Sequence, residues 1–257
     1  MSRAERWLTT VPSLTDHKLK ISYARVELYE APLGELAAGL NDVCREAELT
    51  GHAARDVLSA FVPLLIDTDH LDRVQSLRAT AQAATLPAAG RLLRCSTLEG
   101  HLLDKRRIGS DAKVLKRDDG RPLSLGERRA LARRPSRATL DKLMSDPHPM
   151  VMRIVLNNPR ITEEDVVLMA AQRPAVPAAV VEIAKAWSHH GRVRVAIVLN
   201  PGSPPAVSVP LLGLLVRSEL AEVRRAADLP APVRATARDL HEIRPPLAEI
   251  EPPDLKH

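Results

Sequence analysis

An Asn-Pro step that recurs 42 residues apart constrains this chain most: Ile154-Val155-Leu156-Asn157-Asn158-Pro159 returns as Ile197-Val198-Leu199-Asn200-Pro201. Each copy is an apolar run, a break, a polar or proline start signal and a second apolar run. Proline inside a helix removes a backbone hydrogen bond and clashes with the preceding turn, so each break ends one helix. Helices this short are not stable alone in water. Each has one apolar stripe that only a neighbouring element can cover, which predicts stacked units stabilised mainly by their nearest neighbours.

The rhythm extends beyond the two copies. Breaks fall at Pro135, Pro159, Pro174, Pro201 and Pro230, each after an apolar helical run. Start signals follow within a few residues. Ser124 with Glu127 has capping-box spacing ahead of the first run, and Ser136 stands ready to cap the second. Thr162 caps the next, with Glu163, Glu164 and Asp165 in the first turn, where the helix dipole favours acids. Pro177, Pro204 (behind Ser203) and Pro232 fit first-turn positions. Amphipathic runs come next: Leu140, Leu143 and Met144; Val166, Val167, Met169 and Ala170; Val180, Ile183, Ala184 and Trp187; Val207, Leu211, Leu214 and Leu215; Val233, Ala237 and Leu240.

Val193, Arg194, Asn200, Pro201, Ser203, Pro204 and Leu211 match a pattern of Val-Arg, small apolars, Asn-Pro, a Ser-Pro step and a leucine-rich helix. Asp146, Pro147, Val151, Asn158, Pro159 and Thr162 keep the same register in the preceding copy, with Met152 where the arginine is expected and Arg153 one place later. Over about 125–242 the chain resembles the leucine-rich repeat variant, a bacterial relative of HEAT-type repeats. The resemblance implies short helices wound into a curved superhelix, and no particular activity. Some members carry a cysteine-bound iron–sulfur cluster at the N-terminus; Cys44 and Cys95 alone, 51 residues apart, cannot supply one.

Ahead of the breaks, residues 34–47, 54–66, 70–84 and 86–95 carry helical apolar stripes, with Pro63 bending the second run and Thr68 a candidate cap. Residues 17–32 alternate loosely like a strand but also fit a helix, and helix is preferred because nothing nearby could pair with a strand. Residues 1–16 read as polar and frayed. The expected fold is therefore all-α: a right-handed α-solenoid of short helices over 123–243, an N-terminal helical subdomain over 1–96, a basic linker or loop over 97–122 and a Pro-rich tail over 244–257. Only five aromatic residues occur, Trp7, Tyr23, Tyr29, Phe61 and Trp187, which suits close-packed helices better than β-sheet.

Composition bounds the function. Hydrophobic residues are 45% and charged ones 27%, against both disorder and a membrane protein. No apolar run is long enough to span a bilayer, and the first residues lack a signal-peptide core. Two isolated cysteines are no disulfide framework, so a reducing, cytoplasmic setting is expected. Thirteen Lys/Arg face six acids between His101 and Ser145, so that segment carries +7 and the rest of the chain −2.

Candidate sites divide accordingly. His189 and His190 read as a solvated helix C-terminus ending at Gly191, because adjacent residues on a helix do not face the same way. Glu163, Glu164 and Asp165 read as a helix first turn rather than a cation site, and His148 as a turn residue between prolines. Asn158 and Asn200 recur, as a turn-bonding residue would and a catalytic one need not. No phosphate loop, nucleophile elbow, zinc spacing or dinucleotide fingerprint is present, and no cofactor is implied. Arg128, Arg129, Arg133, Arg134 and Arg137 are the candidate partner- or phosphate-binding residues: Arg128 and Arg129, with Arg133 one turn on, could line one ridge. A solvated face is the plain alternative. The expectation is a non-catalytic scaffold or adaptor for a protein partner; the alternative is a protein that binds nucleic-acid backbone through the basic 105–142 segment. No membrane association is expected.

Overall fold

The computed structural model describes residues 1–49, 51–95, 114–134 and 136–245. Their regular structure is helical, apart from one antiparallel bridge between Lys116 and Pro122. The rest of the expected basic linker (97–113), the Pro135 break and the tail from 246 onward lie outside the described residues.

The N-terminal half differs from expectation at its start. Residues 1–16 are not a frayed end: α1 spans Arg3–Ser13 and begins with a Ser2–Glu5 capping box. Ala4, Trp7 and Val11 sit at helical spacing and are buried. The Trp7 ring packs 5.0 Å from that of Phe61. Gly39 makes this possible, since a Cβ there would stand 3.0 Å from the Trp7 ring.

The ambiguous stretch is a helix, α2 (His17–Glu30), capped by the Asp16 side chain. Ala24 and Leu28 are buried on one face, while Leu19, Val26 and Tyr29 are half exposed on the other. A helix apolar on two faces loses its one-sided period, which is why the sequence also looked strand-like. Next come α3 (Leu33–Glu48) and α4 (His52–Leu65), then a 3₁₀ turn at Thr68–His70 capped by Asp67, not Thr68. The half ends with α5 (Leu71–Ala83) and α6 (Pro87–Leu92). The buried Asn41 side chain accepts the first amides of α6 from Ala88 and Ala89. Helix α4 is the hub, packed by α1, α2 and α3 and buried along most of its length.

Among the described residues the C-terminal half holds nine helices in three groups of three. The first group is α7 (Leu125–Ala132), α8 (Arg137–Leu143) and α9 (Pro149–Leu156). The second is α10 (Glu163–Ala171), α11 (Pro177–Trp187) and α12 (Gly191–Val198). The third is α13 (Pro205–Leu212), α14 (Arg217–Arg225) and α15 (Ala231–Ile243). First and third helices pair within each group. The capping boxes at Ser124 and Thr162 form, with Glu127 and Asp165 as their acidic members. Pro177 opens α11, but Pro205 rather than Pro204 opens α13; Pro204 takes the cap position. The Ser136 hydroxyl bonds that of Thr139 instead of a backbone amide.

The recurring asparagines lock these groups. Asn158 donates from Nδ2 to the carbonyls of Ala132 and Arg134, which end α7, while its Oδ1 accepts the Arg160 amide. Asn200 repeats this on Ala170 and Gln172, at the end of α10, and accepts the amide of Gly202. The last carbonyls of a helix have no intrahelical partner, so each asparagine satisfies one of them, one carbonyl just past the helix end and a turn amide together. The third group replaces the asparagine with Arg244, whose Nη2 donates to Gly213, past the end of α13. That arginine was expected to begin a surface tail; it is 1% exposed and also reaches the Ala47 carbonyl of α3.

The two halves share one buried cluster. Helix α4 packs on α11 and α13, and α6 on α13. Ion pairs Lys185–Asp67 (2.6 Å) and Arg94–Asp239 (2.7 Å) tie them at two places.

Candidate functional site

The five arginines singled out from sequence have divided roles. Arg128 is buried and places Nη1 2.6 Å from both oxygens of the buried Asp146. Arg137 grips Asp165 through two nitrogens at 2.6 and 2.5 Å and pairs with Asp141 one turn on. That bidentate bond raises the Arg137 pKa further and holds the Asp165 carboxyl well below the usual carboxylate range. Arg128 and Arg137 thus tie helices together. Arg133 and Arg134 are exposed and Arg129 half-buried; none of the three has a carboxylate within ion-pair distance among the described residues. Arg133 donates to the Arg129 carbonyl.

A cleft of about 610 Å³ opens where α2 meets α9, α11 and the Asn-Pro turn between α9 and α10. Its apolar lining is Ile21, Leu156, Ile161, Ala186 and Trp187. Trp187 is fixed by its indole N–H, which donates to the Leu156 carbonyl at 3.1 Å. Charged groups stand around it: Arg153 forks onto Glu182 with both bonds at 2.8 Å, and Lys185 lies between Asp67 and Glu182. Asp16 is committed to the cap of α2. Lys18 is exposed and has no ion-pair partner among the described residues.

The histidine pair was expected to be a solvated helix end; it does follow the end of α11, with His189 exposed and His190 half-buried, but the structure corrects the role of Gly191. Helix α11 stops at Trp187, and Gly191 starts α12 rather than ending α11. With the chain no longer helical at 188–190, the two rings can meet. The His189 ring stacks on His17 of α2 at 4.2 Å, and His190 lies 4.2 Å from His189 and 4.8 Å from Trp187. Desolvation, with Lys20 nearby, lowers the pKa of His17; desolvation and then His17, His190 and Arg194 lower that of His189. His190 Nδ1 is 3.3 Å from Glu163. This is a stack of faces, not a convergence of lone pairs. Among the described residues no group of three His, Cys, Asp or Glu is placed to hold a metal ion.

Cys44 is buried, Cys95 half-buried, and neither is in a disulfide. Burial raises the Cys44 thiol far out of its reactive range. Among the described residues, no helix is long and apolar enough to cross a membrane.

No protein-family profile, curated protein or solved structure matches the chain. Sequence reasoning did not find the cleft, because His17, Ile21, Leu156 and Trp187 come from elements up to 170 residues apart. The one local signal was Trp187 beside two histidines.

Proposed function

We propose that this chain is a non-catalytic adaptor of the bacterial cytoplasm, built as an α-solenoid of the leucine-rich repeat variant type, which grips an acidic, apolar segment of a partner protein in the α2–α11 cleft. The cleft carries the reading. It is open, and it has the composition of an interaction surface: an apolar floor with a fixed tryptophan inside a rim of charge. Its rim cations are Lys18, Arg153 and Lys185, of which Lys18 is uncommitted; its acids, Asp16 and Glu182, are already bonded. An incoming carboxylate meets an available cation, and an incoming cation does not meet a free acid. The repeating Asn clamps support the solenoid part of the reading, because two of the three groups are completed by the same contact.

The alternative, docking of nucleic-acid backbone, is favoured by one observation: Arg129, Arg133 and Arg134 gather at the end of α7 without carboxylate partners among the described residues. The two readings separate in one experiment. Affinity capture from the native cytoplasm is run with wild type, with Lys18→Glu plus Ile21→Glu, and with Arg129, Arg133 and Arg134 all changed to Glu. Generic duplex DNA is titrated against the same proteins at several salt concentrations. The adaptor reading expects a partner retained by the triple-arginine variant and lost by the cleft variant. Tight DNA binding with a steep salt slope that only the triple variant abolishes would overturn it.

A further inference from the structure

Behind the histidine stack lies a second cavity of about 550 Å³, between the start of α4 and the α13–α14 connection. His189 lines both. This second cavity holds two arginines, Arg55 of α4 and Arg194 of α12, with His52, Ser59, Leu214 and Val216. Arg55 has no hydrogen-bond or ion-pair partner among the described residues, and its Nε is buried without one. Arg194 donates to the carbonyls of Ser188 and His189 through Nη1, but its Nε is also buried and unpartnered. A third arginine, Arg244, stands close enough behind them to be affected by Arg55, with Nε and Nη1 buried and unpartnered.

The carboxylates nearby offset this group only in part, and none forms an ion pair with Arg55 or Arg194 among the described residues. Asp56 lies 2.6 Å from Lys20. Glu219 lines the cavity, but its oxygen is 2.8 Å from the Val216 amide, where it caps α14, and it pairs with neither arginine. With Lys20 set against Asp56, the cavity keeps an excess of positive charge before either histidine is counted. Buried or half-buried cations are ordinarily paired, since an uncompensated one is costly. Burial lowers the pKa of both Arg55 and Arg194, and the nearby Glu219 charge opposes that shift only in part. The cavity also receives the N-terminal end of α4, which has no capping side chain and no acid in its first turn.

We infer that the cavity between α4, α12 and the α13–α14 connection binds a phosphate group, carried by a small molecule or free, with Arg55 and Arg194 as its anchoring donors. Guanidinium forks match the spacing of phosphate oxygens, and one phosphate can accept from both arginines while His52 and Ser59 supply further donors. The apolar wall of Leu214 and Val216 leaves room for the body of a phosphate monoester. This inference is independent of the adaptor reading, which rests on the other cleft.

The test uses the full chain. Melting temperature and calorimetric binding are measured with inorganic phosphate, with phenyl phosphate, and with chloride at equal ionic strength. The expected result is a saturable rise in melting temperature with either phosphate and none with chloride. Tighter binding of phenyl phosphate identifies a monoester as the natural class; equal or weaker binding identifies the free anion. Arg55→Gln should weaken binding at least tenfold without lowering the melting temperature of the ligand-free protein, because Arg55 has no partner to lose. Arg194→Gln should weaken binding similarly but also lowers stability through its carbonyl bonds, so Arg55→Gln is the deciding variant. The inference fails if phosphate acts no differently from chloride, if Arg55→Gln binds phosphate as wild type does, or if that variant is destabilised without ligand.

Discussion

Replacing Asn200 by alanine tests the principle on which the C-terminal half is assembled. The side chain is 2% exposed and makes three bonds: 2.8 Å to the Ala170 carbonyl, 3.0 Å to that of Gln172 and 3.0 Å from the Gly202 amide. Leaving a buried polar group without its partner costs about 1–3 kcal/mol. The Ala170 end is fully buried and the other two only partly, so the whole loss comes to about 3 kcal/mol. For a chain of this size that corresponds to a fall in melting temperature of roughly 6–12 °C. Urea unfolding followed by circular dichroism measures it. Two companions sharpen the result. Asn157→Ala removes one bond, to the Arg153 carbonyl, from an exposed neighbour and should change stability by less than about 0.5 kcal/mol. Asn200→Asp keeps an acceptor for Gly202 but sets a carboxylate against two carbonyl oxygens, so it should lose at least as much as the alanine variant. If Asn200→Ala melts with wild type, or if Asn200→Asp is as stable as wild type, the asparagine is not a clamp and the argument for the units fails.

Three further outcomes follow from the fold. Trp7→Ala should cost about 3–5 kcal/mol in urea unfolding, because the ring is fully buried against Phe61; an unchanged midpoint would return residues 1–16 to a frayed end. Arg128→Met leaves Asp146 buried without its cation and should cost about 3–5 kcal/mol, whereas exposed Arg133→Ala should stay within about 0.5 kcal/mol; equal effects would mean the Arg128 pair is not structural. His17 and His189 have lowered pKa values in the folded chain, so the unfolded chain binds protons first, and stability is present above the ordinary histidine value near 6.5 and lost as pH falls below it. Melting temperature should therefore drop between pH 7.5 and 5.5, and His189→Gln should flatten that slope.

The helices were legible because their signals are local. A capping residue, a proline at the first turn and an apolar stripe all lie within one or two turns, and Ser124, Thr162 and Pro177 act where the pattern puts them. Errors arose where one residue had two readings. Gly191 can end a helix or start one, and placing it at an end hid the stacking of the His189 ring on His17. Trp7 is one large ring among polar neighbours, and only Phe61 and Gly39, brought up by α4 and α3, explain its burial. The arginine ridge failed differently. Charge was visible, but pairing was not, because Asp146 and Asp165 lie 18 and 28 residues from the arginines they hold. Both cavities were illegible for the same reason: their walls come from the two ends of the chain.

The bond from Arg244 to Ala47 spans 197 residues of sequence. Chains emerge from the ribosome N-terminus first at about 5–20 residues per second, so this donor follows its acceptor by roughly 10–40 s. During that interval the N-terminal helices can collapse around α4, yet the end of α3 still faces solvent, and so do the faces of α4 and α6 that α11 and α13 will later cover. The chain is therefore most exposed to proteases and to misassociation before α11 and α13 emerge, and a nascent chain halted before α15 still leaves the end of α3 without its Arg244 bond.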